Sequence, residues 1–280
     1  MWCDPSSEEV VTSAGMRTID IHSHFFPEHW PDLGEHYGSA DWPWLKPTEP
    51  GKAMLMVGEK EFRSVSEACW NPAKRLEEMD RDSVDLQLIC ATPVLFAYER
   101  PAKLAVGWAR RLNDSLIDLC ERGHGRLKAL CQVPLQDIDS ACVELSRCMS
   151  SGHVGVQIGN HVGLRNLDDE GIITFLQHCA VEGAAVFVHP WEMLGADRMS
   201  KYMMGWTVGM PAETQLGIVS LILGGGFERL PRDLRICFAH GGGSFPWLLG
   251  RLDNAWRRRD IARGLAPVVP SAYLNRFYVD

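Results

Sequence analysis

Ile19-Asp20-Ile21-His22-Ser23-His24 alternates apolar and polar residues without a break. A strand repeats every two residues, so one face should carry Ile19 and Ile21 and the other Asp20, His22 and His24. Around this stretch, Thr18–His22 reads as the first of six short apolar runs. The others are Val84–Ala91, Leu127–Val133, Val154–Ile158, Ala184–His189 and Leu234–His240. Segments of helical periodicity fall between them, at about 102–122, 137–150, 168–182, 211–228 and 245–262. Regular alternation of strand and helix predicts parallel strands joined by crossover helices. Phe277–Asp280 reads as a seventh strand where the sequence ends.

Two architectures fit such a pattern: a (β/α)₈ barrel and an open doubly wound sheet. No G-x-G-x-x-G follows the first strand, and three strands end in histidine, at His22/His24, His189 and His240. Barrel chemistry sits at the C-terminal ends of the strands, so these histidines favour a barrel whose interior the polar face of Ile19–His24 lines. The fold class expected is therefore α/β: a distorted (β/α)₈ TIM barrel, incomplete at its C-terminal end, with an insertion at about residues 25–70 after the first strand. Residues 1–15 read as a disordered leader and 16–280 as the barrel domain.

The 280 residues are 46% hydrophobic and 23% charged, the proportions of a globular chain. A net charge of −8 argues against nucleic-acid binding. The longest apolar stretch, Leu216–Leu223, is too short to span a bilayer. Nine cysteines without a C-x-x-C pair suit reduced thiols and a cytoplasmic protein, and MWCDPSSEEV lacks the pattern of a secretory signal. Imidazole is a common ligand for zinc-like ions, so histidines converging from three strands predict a metal site. His161, after Gln157-Ile158-Gly159-Asn160, is a weaker candidate for the pocket. His29, His36, His124, His153 and His178 read as ordinary loop or helix residues.

The motifs IDIHSHFFP, ATPV, VPLQD, GVQIGNH, VFVHPWEM, MPAETQL and CFAHGGGSFPWLLGR run in order from Arg17 to Asp280. Together they resemble the 2-amino-3-carboxymuconate-6-semialdehyde decarboxylase family of the amidohydrolase superfamily. The resemblance implies a homodimeric Zn2+ enzyme that removes a carboxylate as CO₂ in tryptophan catabolism through kynurenine and so limits quinolinate formation. It implies His22, His24 and His189 as metal ligands and His240 as the catalytic acid–base. It further implies Arg63 as a substrate-carboxylate arginine, Trp206 as a wall of the substrate pocket, and Arg251 as a residue reaching the neighbouring subunit's site. The family's carboxylate ligand lies in a later L-G-(S/T)-D-Y-P segment, which this sequence does not contain. Asp280, ending FYVD, matches the family's preceding strand instead, and Glu192 stands where the family has Asp after HPW.

A dianionic semialdehyde calls for arginines, which hold carboxylates bidentately where lysine does not. Gly241-Gly242-Gly243 before a helix fits an anion cradle but reads first as close backbone packing beside His240, and Trp256-Arg257-Arg258-Arg259 reads as a solvated last helical turn. Two other readings fit the same residues: a metal-dependent hydrolase of the superfamily, and a catalytically incomplete form without the aspartate ligand. An open barrel also leaves strand edges unpaired, which predicts association or aggregation.

Overall fold

The computed structural model describes residues 17–28 and 42–280. The expected leader, His29, His36 and Cys3 lie outside the described residues. Strand β1 spans Ile19–Phe25. The insertion follows it as an antiparallel three-stranded sheet, β2 (Pro43–Glu49), β3 (Lys52–Val57) and β4 (Lys60–Ser66). Buried Leu55 of β3 packs with Phe25, Phe26, Trp42 and Trp108, so the insertion is sealed onto the start of the barrel.

Helix α1 (Pro72–Arg81) had no counterpart among the expected helices. It is well specified locally: Asn71 Oδ1 accepts from Ala73 N at 3.0 Å, and Pro72 occupies the first turn, where its missing N–H costs nothing. The alternation then proceeds as β5 (Leu86–Ala91), α2 (Ala102–Glu121), β6 (Leu127–Gln132), α3 (Ile138–Ser150) and β7 (Gly155–Gly159). A two-residue hairpin pair, β8 (His161–Val162) and β9 (Arg165–Asn166), precedes α4 (Glu170–Val181) and β10 (Ala185–His189). The expected helix at 211–228 is two helices, α5 (Met210–Leu223) and α6 (Gly226–Arg229), because Gly225 takes a left-handed φ of 71° between them. After β11 (Ile236–Phe238), α7 (Phe245–Arg258) stops short of the expected 262 where Arg259 turns extended, and β12 (Tyr278–Val279) follows.

Seven strands form one parallel sheet in the order β1-β5-β6-β7-β10-β11-β12. Among the described residues the sheet is an incomplete barrel with β1 and β12 as its two edges, as the strand count implied. Cys90, Leu130, Phe187 and Ala239 meet inside it as a small apolar plug. A much larger cluster joins the sheet's outer face to the helices, with Phe175, Ile218, Phe227, Phe238 and Phe245 fully buried. The rigid wall therefore holds the strand ends in place while the interior above the plug is left to polar side chains.

Candidate metal centre and active site

The alternation of Ile19–His24 is interrupted in the fold. Asp20 pairs with Gln87 but Ser23 pairs with Ile89, so three steps along β1 face two along β5. Such a bulge re-aims the side chains beyond it. His24 comes level with Cys90 of the interior plug, while Asp20 shares a cavity with His22 and His24 and accepts at Oδ1 from the His22 backbone N–H at 3.0 Å. Its Oδ2 accepts from Gln87 Nε2 at 2.8 Å, and Gln87 Oε1 accepts from Arg75 Nη1 at 3.0 Å. Arg75, 5% exposed, projects from α1 and also donates to Ser23 Oγ at 2.5 Å and to the His24 carbonyl at 2.6 Å. A buried guanidinium thus clamps the segment that presents two histidines.

Four imidazoles converge above the plug. The ring of His22 lies 5.1 Å from those of His24 and His189 and 5.0 Å from that of His240, and His189 and His240 are 4.8 Å apart. Ligand nitrogens of His22, His189 and His240 all lie within 4.8 Å of one another. His24 Nε2 stands 3.3 Å from His22 Nε2. With metal–nitrogen bonds of about 2.0–2.1 Å, two ligands on a tetrahedral ion are about 3.3–3.4 Å apart, so this pair is spaced to share one cation.

The outward nitrogens distinguish the four rings. His189 Nδ1–H donates to the Pro190 carbonyl at 2.7 Å, and His22 Nδ1–H donates to Asp280 Oδ2 at 2.5 Å. His24 is hydrogen-bonded to the Ala91 backbone, with its Nδ1 3.4 Å from Cys90 Sγ. In His22 and His189 an oxygen partner on Nδ1 leaves the Nε2 lone pair facing the cluster, the arrangement of a metal-ligating histidine. His240 differs, because its buried Nδ1 has no protein partner.

Electrostatics favour the neutral form of three of the rings. Burial, with His22 and Arg63 alongside, lowers the His24 pKa from 6.5 to about 3. Burial and the other three histidines hold His189 well below 6.5, and burial with His22 lowers His240. Neutral imidazoles are what a divalent cation requires. Arg63 extends from β4 to line a cavity of about 320 Å³ with His22, His24, Ser66 and Arg75. The expected carboxylate arginine therefore stands beside the histidines.

His240 sits in a tight turn with a left-handed φ of 60°, a strained conformation for a side chain of this kind. The three glycines after it also have positive φ, and a Cβ on Gly243 would lie 2.3 Å from the Pro211 carbonyl oxygen. Gly242 and Gly243 are closely packed, as the sequence suggested, whereas Gly241 has open space beside it.

The remaining candidates lie elsewhere. His161 places both ring nitrogens against carbonyls, Gly163 O at 2.9 Å and Trp191 O at 3.0 Å, apart from the cluster. Trp206 lies 59% exposed in a π-helical turn, Gly205–Gly209, and exposed Arg251 lies on α7. Glu192 is exposed, with a φ of 45°. Sequence reasoning missed buried Glu213, from MPAETQL, which accepts from Leu194 N at 2.7 Å and Asn160 Nδ2 at 3.0 Å and so fixes the segment after His189. It also missed Arg75, which the Asn71-Pro72 helix start would have placed on a helix.

A family model described as amidohydrolase matches residues 19–276. The chain belongs to the amidohydrolase family. A 2-amino-3-carboxymuconate-6-semialdehyde decarboxylase from Dictyostelium discoideum is 42% identical over 264 residues, covering 94% of this chain and 73% of that one. Among solved structures, the apo form of the Metarhizium anisopliae IDCase superposes with a TM-score of 0.80 at 21% identity, covering 95% of this chain and 77% of that one. A 5-carboxyvanillate decarboxylase from Novosphingobium aromaticivorans, complexed with manganese and a nitrobenzoic acid, gives a TM-score of 0.72 at 21% identity over 95% and 78% of the two chains. Both structures share the fold.

Proposed function

We propose that this amidohydrolase is a zinc-dependent decarboxylase of 2-amino-3-carboxymuconate 6-semialdehyde, acting in the cytoplasm in tryptophan catabolism. The chain is a carboxy-lyase of its superfamily, as the decarboxylase relatives indicate. The observation that carries the metal reading is the division among the four histidines: His22 and His189 have Nδ1 committed to oxygen acceptors, His22 and His24 bring their Nε2 atoms to 3.3 Å, and His240 has Nδ1 unpartnered. A set of neutral nitrogen donors suits zinc better than manganese, which favours oxygen ligands.

His22, His24 and His189 would hold the ion. When bound there, a divalent metal supplies a Lewis acid at the mouth of the barrel. Arg63 holds a substrate carboxylate in the cavity and fixes its plane. His240, neutral and uncommitted at Nδ1, takes up a proton and delivers it to the substrate carbon. The bond from that carbon to its carboxyl carbon then breaks, CO₂ leaves, and the delivered proton stands in its place. The product is 2-aminomuconate semialdehyde.

The active unit is a homodimer in which Arg251 enters the neighbouring site and Trp206 lines the pocket. Supporting this, Arg251 shares α7 with Trp247, which is 89% exposed, and with exposed Leu248. The test is zinc content of the purified chain by elemental analysis, together with CO₂ release from the semialdehyde. About one zinc per chain with CO₂ release supports the proposal. Near-zero zinc from a folded chain favours the incomplete form, because both Asp280 oxygens are already hydrogen-bonded and neither is open for the ion. Water consumption without CO₂ release would mark a hydrolase.

A further inference from the structure

Asp280 lies at the end of β12, on the opposite edge of the sheet from β1. Its Oδ2 accepts from His22 Nδ1 at 2.5 Å across the open side of the barrel. Its Oδ1 accepts from the backbone N–H of Gly241 at 2.8 Å, in the turn that begins with His240. Both oxygens are therefore engaged, one with a histidine of the cluster and one with the peptide following another. Burial opposes the charge, but the hydrogen bonds from His22 and Gly241 outweigh it, and the carboxyl is held below its usual range.

An imidazole exposes its Nε2 lone pair only when its proton sits on Nδ1. A carboxylate on Nδ1 secures that tautomer and makes the ring a better donor to a metal, whereas water on Nδ1 permits either tautomer. His22 also needs such a partner for steric reasons, because it lies in the bulged part of β1, where the ladder to β5 is interrupted. The second oxygen acts on the His240 turn, whose left-handed φ is costly and must be held from outside. A Cβ on Gly242 would lie 2.9 Å from Val279 Cγ1, so β12 and this turn already pack closely.

We infer that Asp280 is a positioning residue: one carboxylate sets the tautomer of His22 and the placement of the His240 turn, coupling the two halves of the site across the open edge of the barrel. The inference rests on the metal-site reading above, but its tautomer component does not require a metal.

The test compares the metal-free 280-residue chain as wild type, D280A and D280N, by zinc competition against a chromophoric chelator. Zinc affinity should fall about 10- to 100-fold in D280A, the range typical for loss of an outer-shell partner. D280N should lie between, since an amide offers one acceptor to two N–H donors. Nitrogen-15 spectra of the imidazoles should show His22 protonated on Nδ1 in wild type and a mixture of tautomers in D280A. A purely structural role would lower Tm without changing zinc affinity or the His22 tautomer. D280A binding zinc within twofold of wild type, or wild-type His22 protonated on Nε2, overturns the inference. If no variant binds zinc, the metal reading fails while the tautomer spectra still judge Asp280. Should D280A not fold, D280N carries both measurements.

Discussion

Acid should destabilise the metal-free protein through its histidine cluster well before it protonates carboxylates. The His24 pKa is lowered from 6.5 to about 3, by burial first and then by His22 and Arg63. Because its folded value is depressed, the unfolded chain binds the proton first, and stability is lost as pH falls below about 6.5. Between pH 7.5 and 5 the unfolded imidazole becomes almost fully protonated while the folded one stays neutral, a difference of about 2 kcal/mol from His24 alone. An unfolding entropy of about 2.1 cal/mol/K per residue over this chain makes that a fall of about 3 °C in Tm. His189 is shifted in the same direction by burial and by its histidine neighbours, so it adds to that fall. Asp280 does not contribute in this window, because its folded pKa lies below the 3.8 of a free carboxyl. Differential scanning fluorimetry in EDTA at pH 7.5, 6.5, 5.5 and 5 measures the effect, with H24N and H189N as controls that flatten the slope. A Tm independent of pH across this range, or an H24N slope equal to wild type, would refute the reasoning.

Four further outcomes are expected. H240N should retain zinc while turnover falls about 10²- to 10⁴-fold, the usual contribution of a general acid–base, as measured by CO₂ release and metal content on one preparation. R63K should raise KM about tenfold or more at unchanged zinc content, because an ammonium replaces a bidentate fork; steady-state kinetics check this. R251A and H240N should each be inactive alone, yet unfolded and refolded together should recover about a quarter of wild-type activity, since half the random dimers carry one intact site. The exposed edge at Tyr278 should drive concentration-dependent association, which Y278K reduces in light scattering.

What was legible in the sequence is what local patterns encode. Apolar runs ending in His189 and His240 marked strand ends, and strand ends are where a parallel sheet places its chemistry. The glycine run after His240 announced a turn that no other residue type enters cheaply, and Gly243 against Pro211 shows why. Features that depend on two strands at once were not legible. Ile19–His24 has the same period-two pattern with or without a bulge, so the pattern put Asp20 beside the histidines but did not show that Gln87 engages its carboxylate. His161 ends its run as invitingly as His189 does, but whether a ring nitrogen is free depends on carbonyls brought in by the following loops.

The same division explains Asp280. In sequence it is the polar residue after a short strand, 258 positions from His22. Its partner is set by where the two sheet edges come to rest, and that follows from the tilt and stagger of seven strands together rather than from any one of them. Arg75 illustrates the converse: its helix start is written plainly in Asn71-Pro72, but its task, clamping the back of the histidine segment, emerges only once α1 packs behind β1. The ligand-bearing strand is thus held from two sides, by a cation behind it and by a carboxylate across the open edge. Both act by limiting the orientations open to His22 and His24, and a site made of neutral imidazoles depends on those orientations more than on charge.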